Sequence, residues 1–157
     1  MASRTRVIAY SGVVAAAYAV STIAIAPMSY GPVQFRVSEI LKPLALYDPF
    51  FAFAFLIGNG MANIFSPFGP WDYVVMPIVD CCAALLCWQL RRWPYVAIVV
   101  QATVISAGVA AFPLGMVLGL PFLPTFASVL VSELILLVVG YIVIWREYGP
   151  DLLRKWQ

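Results

Sequence analysis

The sequence predicts an all-α membrane protein, a single bundle of six transmembrane helices in which the second segment is short or broken. Hydrophobic residues make up 64% of the 157 residues, whereas about 45–50% is usual in soluble domains. Charged residues make up only 10%, and the mean hydropathy is +0.96. A chain this short cannot enclose so much apolar surface within a polar shell. We therefore expect one integral-membrane domain over residues 1–157.

The six expected helices follow the apolar runs and the residues that break them. A membrane-spanning helix needs about 20 apolar residues. Pro27 ends the first run, Asp48 and Pro49 supply an N-cap and a first-turn proline for the third, and Arg91 stops the fourth. The helices are expected at about residues 5–26, 37–47, 50–65, 72–90, 95–118 and 125–145.

The second segment is the least regular, because residues 37–47 would span only about 17 Å as an α-helix and contain Glu39, Lys42 and Pro43. The distribution of basic residues favours counting it as a span. With six spans both termini are cytoplasmic, and of the nine Lys and Arg residues only Arg36 lies toward the outside.

The composition excludes several kinds of chemistry. The chain has no histidine, so Ser-His-Asp and Cys-His catalysis are ruled out. Its two lysines lie outside any phosphate-binding G-x-x-x-x-G-K-[ST] loop. A net charge of +2 gives no basic surface for nucleic acid. Cys81, Cys82 and Cys87 match no metal-site spacing and are expected to be packing residues. We expect no catalytic residues, no metal and no cofactor.

Ionisable and amide side chains at membrane depth are functional candidates because burying them is costly. On the six-helix topology, six such residues fall in the outer half of the membrane: Glu39, Asn59, Asn63, Asp72, Asp80 and Glu133.

Each candidate also has a purely structural interpretation. Asp72 could cap its helix, the two asparagines could hydrogen-bond neighbouring helices, and Glu39 could pair with Arg36 or Lys42. Asp80 and Glu133 have no cation nearby on their own helices, so each needs a partner across the bundle, a proton or a ligand.

Aromatic side chains lie near the same outer ends, among them Trp71. They suit an interfacial belt or a surface on which a flat ligand stacks. Ionised carboxylates accept hydrogen bonds and asparagine both donates and accepts. Such a site suits a planar molecule rich in N–H donors, such as a guanine-like base.

Small residues recur every four positions on the first helix, at Ser11, Ala15 and Ala19. Rows of this kind let another helix approach closely. They serve either packing inside the bundle or docking of a partner subunit.

One run of residues is specific enough to indicate a family. The stretch from Tyr30 to Glu39 reads Y-G-P-V-Q-F-R-V-S-E and resembles the signature of the QueT family, which transports queuosine precursors. Weaker matches follow in order along the chain: Asn63, Asp72 after a Gly-Pro-Trp turn, Gly119-Leu120-Pro121-Phe122, and Ser132-Glu133-Leu134-Ile135.

The resemblance implies a six-helix substrate-binding subunit (S component) of an energy-coupling factor (ECF) importer in a prokaryotic cell membrane. Such a subunit captures a 7-deazaguanine base from outside and docks on a membrane T subunit driven by two ATPase subunits. The docking face would map to Ser11, Ala15 and Ala19. The substrate contacts would map to Gln34, Arg36, Glu39, Asn63, Trp71, Asp72 and Glu133. Lys42-Pro43 and Asp80 depart from the family pattern.

Two other functions remain open at the level of sequence. The chain could be a stand-alone ion-coupled carrier that uses Asp80 and Glu133 as a relay. It could also be a membrane thiol-redox enzyme that uses its three cysteines, although nothing in the sequence resembles a quinone or haem site.

Overall fold

The computed structural model describes residues 4–30 and 34–156, and the side chains of residues 5–30 and 34–144. This part of the chain contains helices and connecting loops and no strand, so the all-helical prediction is confirmed. The α-helices are α1 Arg4–Ala24, α2 Ala26–Ser29, α3 Phe50–Asn63, α4 Met76–Gln89, α5 Pro94–Ala111 and α6 Phe122–Trp156.

Three helical stretches have other geometries. Residues Val37–Leu46 form a 3₁₀ helix, called here the 3₁₀ segment. A π-helical run, Trp71–Val75, leads into α4, and a second one, Phe112–Val117, extends α5.

Four helices are long and apolar enough to cross a membrane: Thr5–Ala24, Trp71–Gln89, Pro94–Val117 and Phe122–Ile144. Helix α3 is apolar but has only 14 residues, and the 3₁₀ segment has ten. The described residues contain seven helices rather than six, because α1 ends at Ala24 and a separate turn, α2, forms around Pro27.

The 3₁₀ geometry makes the second segment longer than an α-helix of the same residues. At about 2.0 Å per residue it covers roughly 20 Å. It packs against α1, α4 and α6. It lies very close to Gly140 of α6, where an added Cβ would lie 2.1 Å from the carbonyl oxygen of Ile40. Any residue with a side chain there would push the segment away from α6.

The apolar core consists of two clusters stacked along the bundle. The first cluster contains Phe55, Ala84, Ile98 and Leu137 among its buried members. The second cluster contains Met76, Ile105, Leu114 and Val129. Most of the buried polar side chains described below lie on the same helices, within a turn or two of these two clusters.

Candidate functional site

The site begins on the 3₁₀ segment, where Glu39 and Lys42 are three residues apart. Side chains at this spacing eclipse one another in a 3₁₀ helix, and both residues are 1% exposed. They form an ion pair. From α1, the Tyr18 hydroxyl donates a hydrogen bond of 2.5 Å to Oε1 of Glu39. Of the two partners considered for Glu39, the structure therefore selects Lys42.

Lys42 connects the 3₁₀ segment to α4. Its Nζ lies 2.8 Å from Oδ1 of Asp80. The amide of Asn59, on α3, donates to the other carboxylate oxygen of Asp80. One turn further along α3, Asn63 donates to the side-chain oxygen of Asn59. The two asparagines thus continue the polar chain that Glu39 and Lys42 begin.

The polar network continues from Asn63 to Asp72, at the start of the span that contains α4. Nδ2 of Asn63 lies 2.8 Å from the backbone oxygen of Asp72. The Asp72 carboxylate is fully buried and accepts from Arg36 Nη2 at 3.2 and 3.3 Å and from Ser66 Oγ at 2.5 Å. The N-cap position of this span is Pro70, and Asp72 lies within its first turn. Asp72 is therefore an ion-pair partner rather than a cap.

Arg36 is held by the loop that precedes the 3₁₀ segment. Its Nε donates to the backbone oxygen of Ser29 at 3.2 Å, and its Nη2 donates to Oε1 of Gln34 at 2.6 Å. Gln34 is 1% exposed and has a φ of 52°. A left-handed backbone at a residue other than glycine costs energy and is common at functional sites.

Glu133 adds a third carboxyl group from α6. It is 2% exposed, and it lies close enough to Glu39, Lys42 and Asp80 to interact with them electrostatically. Around the single ammonium of Lys42 the bundle therefore gathers three carboxyl groups, from Glu39, Asp80 and Glu133.

Several atoms in this network have no hydrogen-bond partner among the described residues. They include Nε2 of Gln34, Oδ1 of Asn63 and Oε2 of Glu133. Buried polar atoms are nearly always satisfied in folded proteins because an unpaired one costs free energy. A donor and two acceptors thus remain available for a bound molecule.

Buried polar side chains inside apolar helices are typical of membrane transporters, and the comparison with known families gives a transporter family. A family model described as QueT transporter matches residues 8–146. The chain belongs to the QueT transporter family. The match includes every side chain of the network. Neither the curated proteins nor the solved structures gave a match.

Membership in the QueT family establishes a membrane transporter rather than an enzyme. Within the described residues, no group of three or more His, Cys, Asp or Glu side chains is arranged to hold a metal ion. The three cysteines are free thiols, and Cys87 is buried in the first cluster as a packing residue.

Most of the predicted substrate contacts of this QueT protein come together in the structure. The network includes Gln34, Arg36, Glu39, Asn63, Asp72 and Glu133. Trp71 is different, because it is 37% exposed and stacks on Phe112 with ring centroids 5.9 Å apart. Gly31, Pro32 and Val33, which precede Gln34 in the family signature, lie outside the described residues.

The three predicted docking residues lie where α1 meets α3. Ser11, Ala15 and Ala19 are all buried. An added Cβ at Gly58 of α3 would lie 2.7 Å from the carbonyl oxygen of Ala15, so the two helices are in close contact. Ser11 and Ala15 also line an apolar groove of about 510 Å³ between these helices. The small-residue row thus packs the bundle and borders a groove, and its docking role remains a prediction.

Sequence reasoning did not single out three buried or part-buried polar residues, Tyr18, Ser66 and Gln101, of which the first two belong to the network. Tyr18 lies well inside α1, whereas membrane tyrosines usually lie at the interface, and this position is a usable signal. Gln101 is a polar residue inside an apolar span, a second usable signal. Nothing in the sequence marks Ser66, whose role depends on how its loop folds over Asp72.

Proposed function

We propose that this QueT protein is the S component of an ECF importer and captures a 7-deazaguanine precursor of queuosine from outside the cell. The observation that carries this proposal is the buried polar network with unpaired atoms inside an otherwise apolar bundle. Charged groups at membrane depth are costly and are retained for function. Six of the seven predicted contact residues share this network.

The unpaired atoms suit a guanine-like base. Such a base places a ring N–H beside an exocyclic amine, and a carboxylate accepts both donors side by side. Glu133 Oε2 and Asn63 Oδ1 are free acceptors among the described residues, and Gln34 Nε2 is a free donor. The excess of carboxyl groups around Lys42 favours a ligand that brings donors rather than acceptors.

We propose six spans, with the 3₁₀ segment and α3 as the two short ones. In this arrangement both termini are cytoplasmic and the site lies in the outer half of the membrane. The support is the distribution of basic residues. Arg36 is the exception on the outer side, and it is neutralised there by buried Asp72.

The partner subunit would dock on the groove between α1 and α3. The groove is lined almost entirely by apolar or small residues: Ile8, Ser11, Gly12, Ala15, Ala16, Phe50, Phe53, Ala54, Ile57 and Met61. Gly12 and Ala16 are exposed on its α1 side. Close approach of helices in a membrane requires small residues of this kind. We assign the groove to the T subunit. Two ATPase subunits would supply the energy for transport, since the sequence of this chain contains no nucleotide-binding motif.

The test is transport by membrane vesicles that contain the chain with or without T and ATPase subunits. The proposal predicts ATP-dependent uptake of a deazaguanine only when all subunits are present. Absence of ATP-dependent uptake of every deazaguanine from a complete complex would contradict it.

Ion-coupled transport by the chain alone is the second candidate, favoured by the contact of Asp80 and Glu133 with the Glu39–Lys42 pair. It predicts the opposite pattern, in which uptake persists without ATPase subunits and collapses when a protonophore is added.

A further inference from the structure

Gln101 of α5 has a side chain whose hydrogen-bonding capacity is entirely unused within the described residues. It is fully buried, and both its Nε2 and its Oε1 lack a partner. Transfer of an amide out of water without compensating hydrogen bonds is unfavourable. A residue of this kind is retained when something else satisfies it.

The position of Gln101 places it between the two apolar clusters. One turn before it on α5 is Ile98 of the first cluster, and one turn after it is Ile105 of the second. Ala102, the next residue, also belongs to the first cluster, so Gln101 lies near the point on α5 where the two clusters meet. Helix α5 packs against both α4 and α6.

A similar placement occurs on the two neighbouring helices. On α4, Asp80 lies one turn from Met76 of the second cluster and one turn from Ala84 of the first. On α6, Glu133 lies one turn from Val129 of the second cluster and one turn from Leu137 of the first.

Three adjacent helices thus each place a buried polar side chain about one turn from residues of both clusters. Asp80 and Glu133 are joined to the network, whereas Gln101 is not joined to any described residue. A carboxamide offers a donor and an acceptor side by side. That pattern complements a lactam, in which a ring carbonyl stands next to a ring N–H.

We infer that Gln101 is a specificity-determining residue of the substrate site and hydrogen-bonds the lactam edge of the bound heterocycle. This inference rests on the proposed function and identifies the chemical group that the site selects. Glu133 and Asn63 then receive the remaining N–H donors of the same ring. A ligand without the carbonyl leaves the buried amide unpaired and is rejected.

The experiment measures thermal melting and ligand affinity of the full chain in detergent. The probes are 7-aminomethyl-7-deazaguanine and a counterpart whose ring carbonyl is replaced by an amine. The variant is Gln101→Leu, which has a similar volume and no polar atoms. The matched control is Gln89→Leu, since Gln89 is exposed on α4.

The wild-type chain is expected to prefer the lactam by at least about tenfold, the value of one good hydrogen bond. Gln101→Leu should lose that preference and about tenfold in affinity for the lactam, while its melting temperature without ligand stays the same or rises. Gln89→Leu should change none of these quantities.

Wild-type selectivity in Gln101→Leu overturns the inference. A lowered melting temperature or failure to fold also overturns it, because an apolar replacement then exposes a structural partner of Gln101. A wild-type chain that binds no deazaguanine at all contradicts the proposed function itself. The two failures are therefore distinguishable.

Discussion

Lys42 and Asp80 are each other's partners, with Nζ of Lys42 lying 2.8 Å from Oδ1 of Asp80 across the interface between the 3₁₀ segment and α4. In the sequence, Lys42 together with Pro43, and Asp80, depart from the QueT pattern. In the structure they pair, because Lys42, which also pairs with Glu39, supplies the cation that the buried Asp80 carboxylate needs. The presence of both residues is therefore compatible with the family assignment. The energetic coupling between them can be tested with single and double variants.

Removal of Lys42 alone should destabilise the protein strongly. Lys42→Met leaves Asp80 and Glu39 buried without a cation, and loss of one partner of a buried pair typically costs about 3–5 kcal/mol. The double variant Lys42→Met with Asp80→Asn should recover part of that loss, since the amide needs no cation. Thermal melting of the two variants in detergent measures the difference. Equal melting temperatures for both would show that the pair is not energetically coupled.

Glu133→Gln should separate binding from stability. Glutamine keeps the shape of Glu133 and removes one of the three carboxyl groups crowded around Lys42, so the melting temperature without ligand should stay the same or rise. Loss of the carboxylate acceptor should weaken deazaguanine binding by about tenfold or more. Isothermal titration of the purified variant checks both expectations alongside a melting curve. Normal affinity would remove Glu133 from the site.

Gly140→Ala should displace the 3₁₀ segment. Its Cβ would lie 2.1 Å from the Ile40 carbonyl oxygen, and overpacking of this kind typically costs about 1–3 kcal/mol. We expect a lower melting temperature together with weaker ligand binding, because Glu39 and Lys42 move with the segment. Gly60→Ala is the matched control, since its nearest neighbour is 3.6 Å away. Equal behaviour of the two variants would contradict the observed contact.

Ala16→Leu should block assembly while leaving ligand binding intact. Ala16 is exposed and lines the groove between α1 and α3. A larger side chain fills the groove that we assign to the T subunit. Ala17→Leu is the control, because Ala17 is exposed on the same helix but does not line the groove. Co-purification of the chain with the T subunit measures the effect, and equal recovery of both variants would rule out this face.

The helical fold was predictable because each apolar run is bounded by prolines, glycines or charges that break helices in any context. The 3₁₀ geometry of Val37–Leu46 was not predictable in the same way. The segment lies in close contact with α6 at Gly140, which is distant in sequence, and the apolar pattern does not show this contact. The additional turn α2 likewise reflects a local break at Ile25 that the apolar pattern does not show.

The candidate site was partly predictable for a physical reason. Carboxylates and amides within apolar spans are conspicuous because the membrane penalises them. Their pairing is set by the packing of helices, which is why Asp72 was equally compatible with a cap. Trp71, beside Asp72, lies outside the network and stacks on Phe112, and its contact with a ligand stays a prediction.

Ligand binding by the purified chain tests the central claim most directly. Thermal shift in detergent should be measured with queuine and with its aminomethyl and nitrile precursors, and compared with guanine, thiamine and riboflavin. The account predicts that at least one deazaguanine raises the melting temperature in a concentration-dependent way, and that thiamine and riboflavin do not. Stabilisation by thiamine or riboflavin, with none by any deazaguanine, would contradict it.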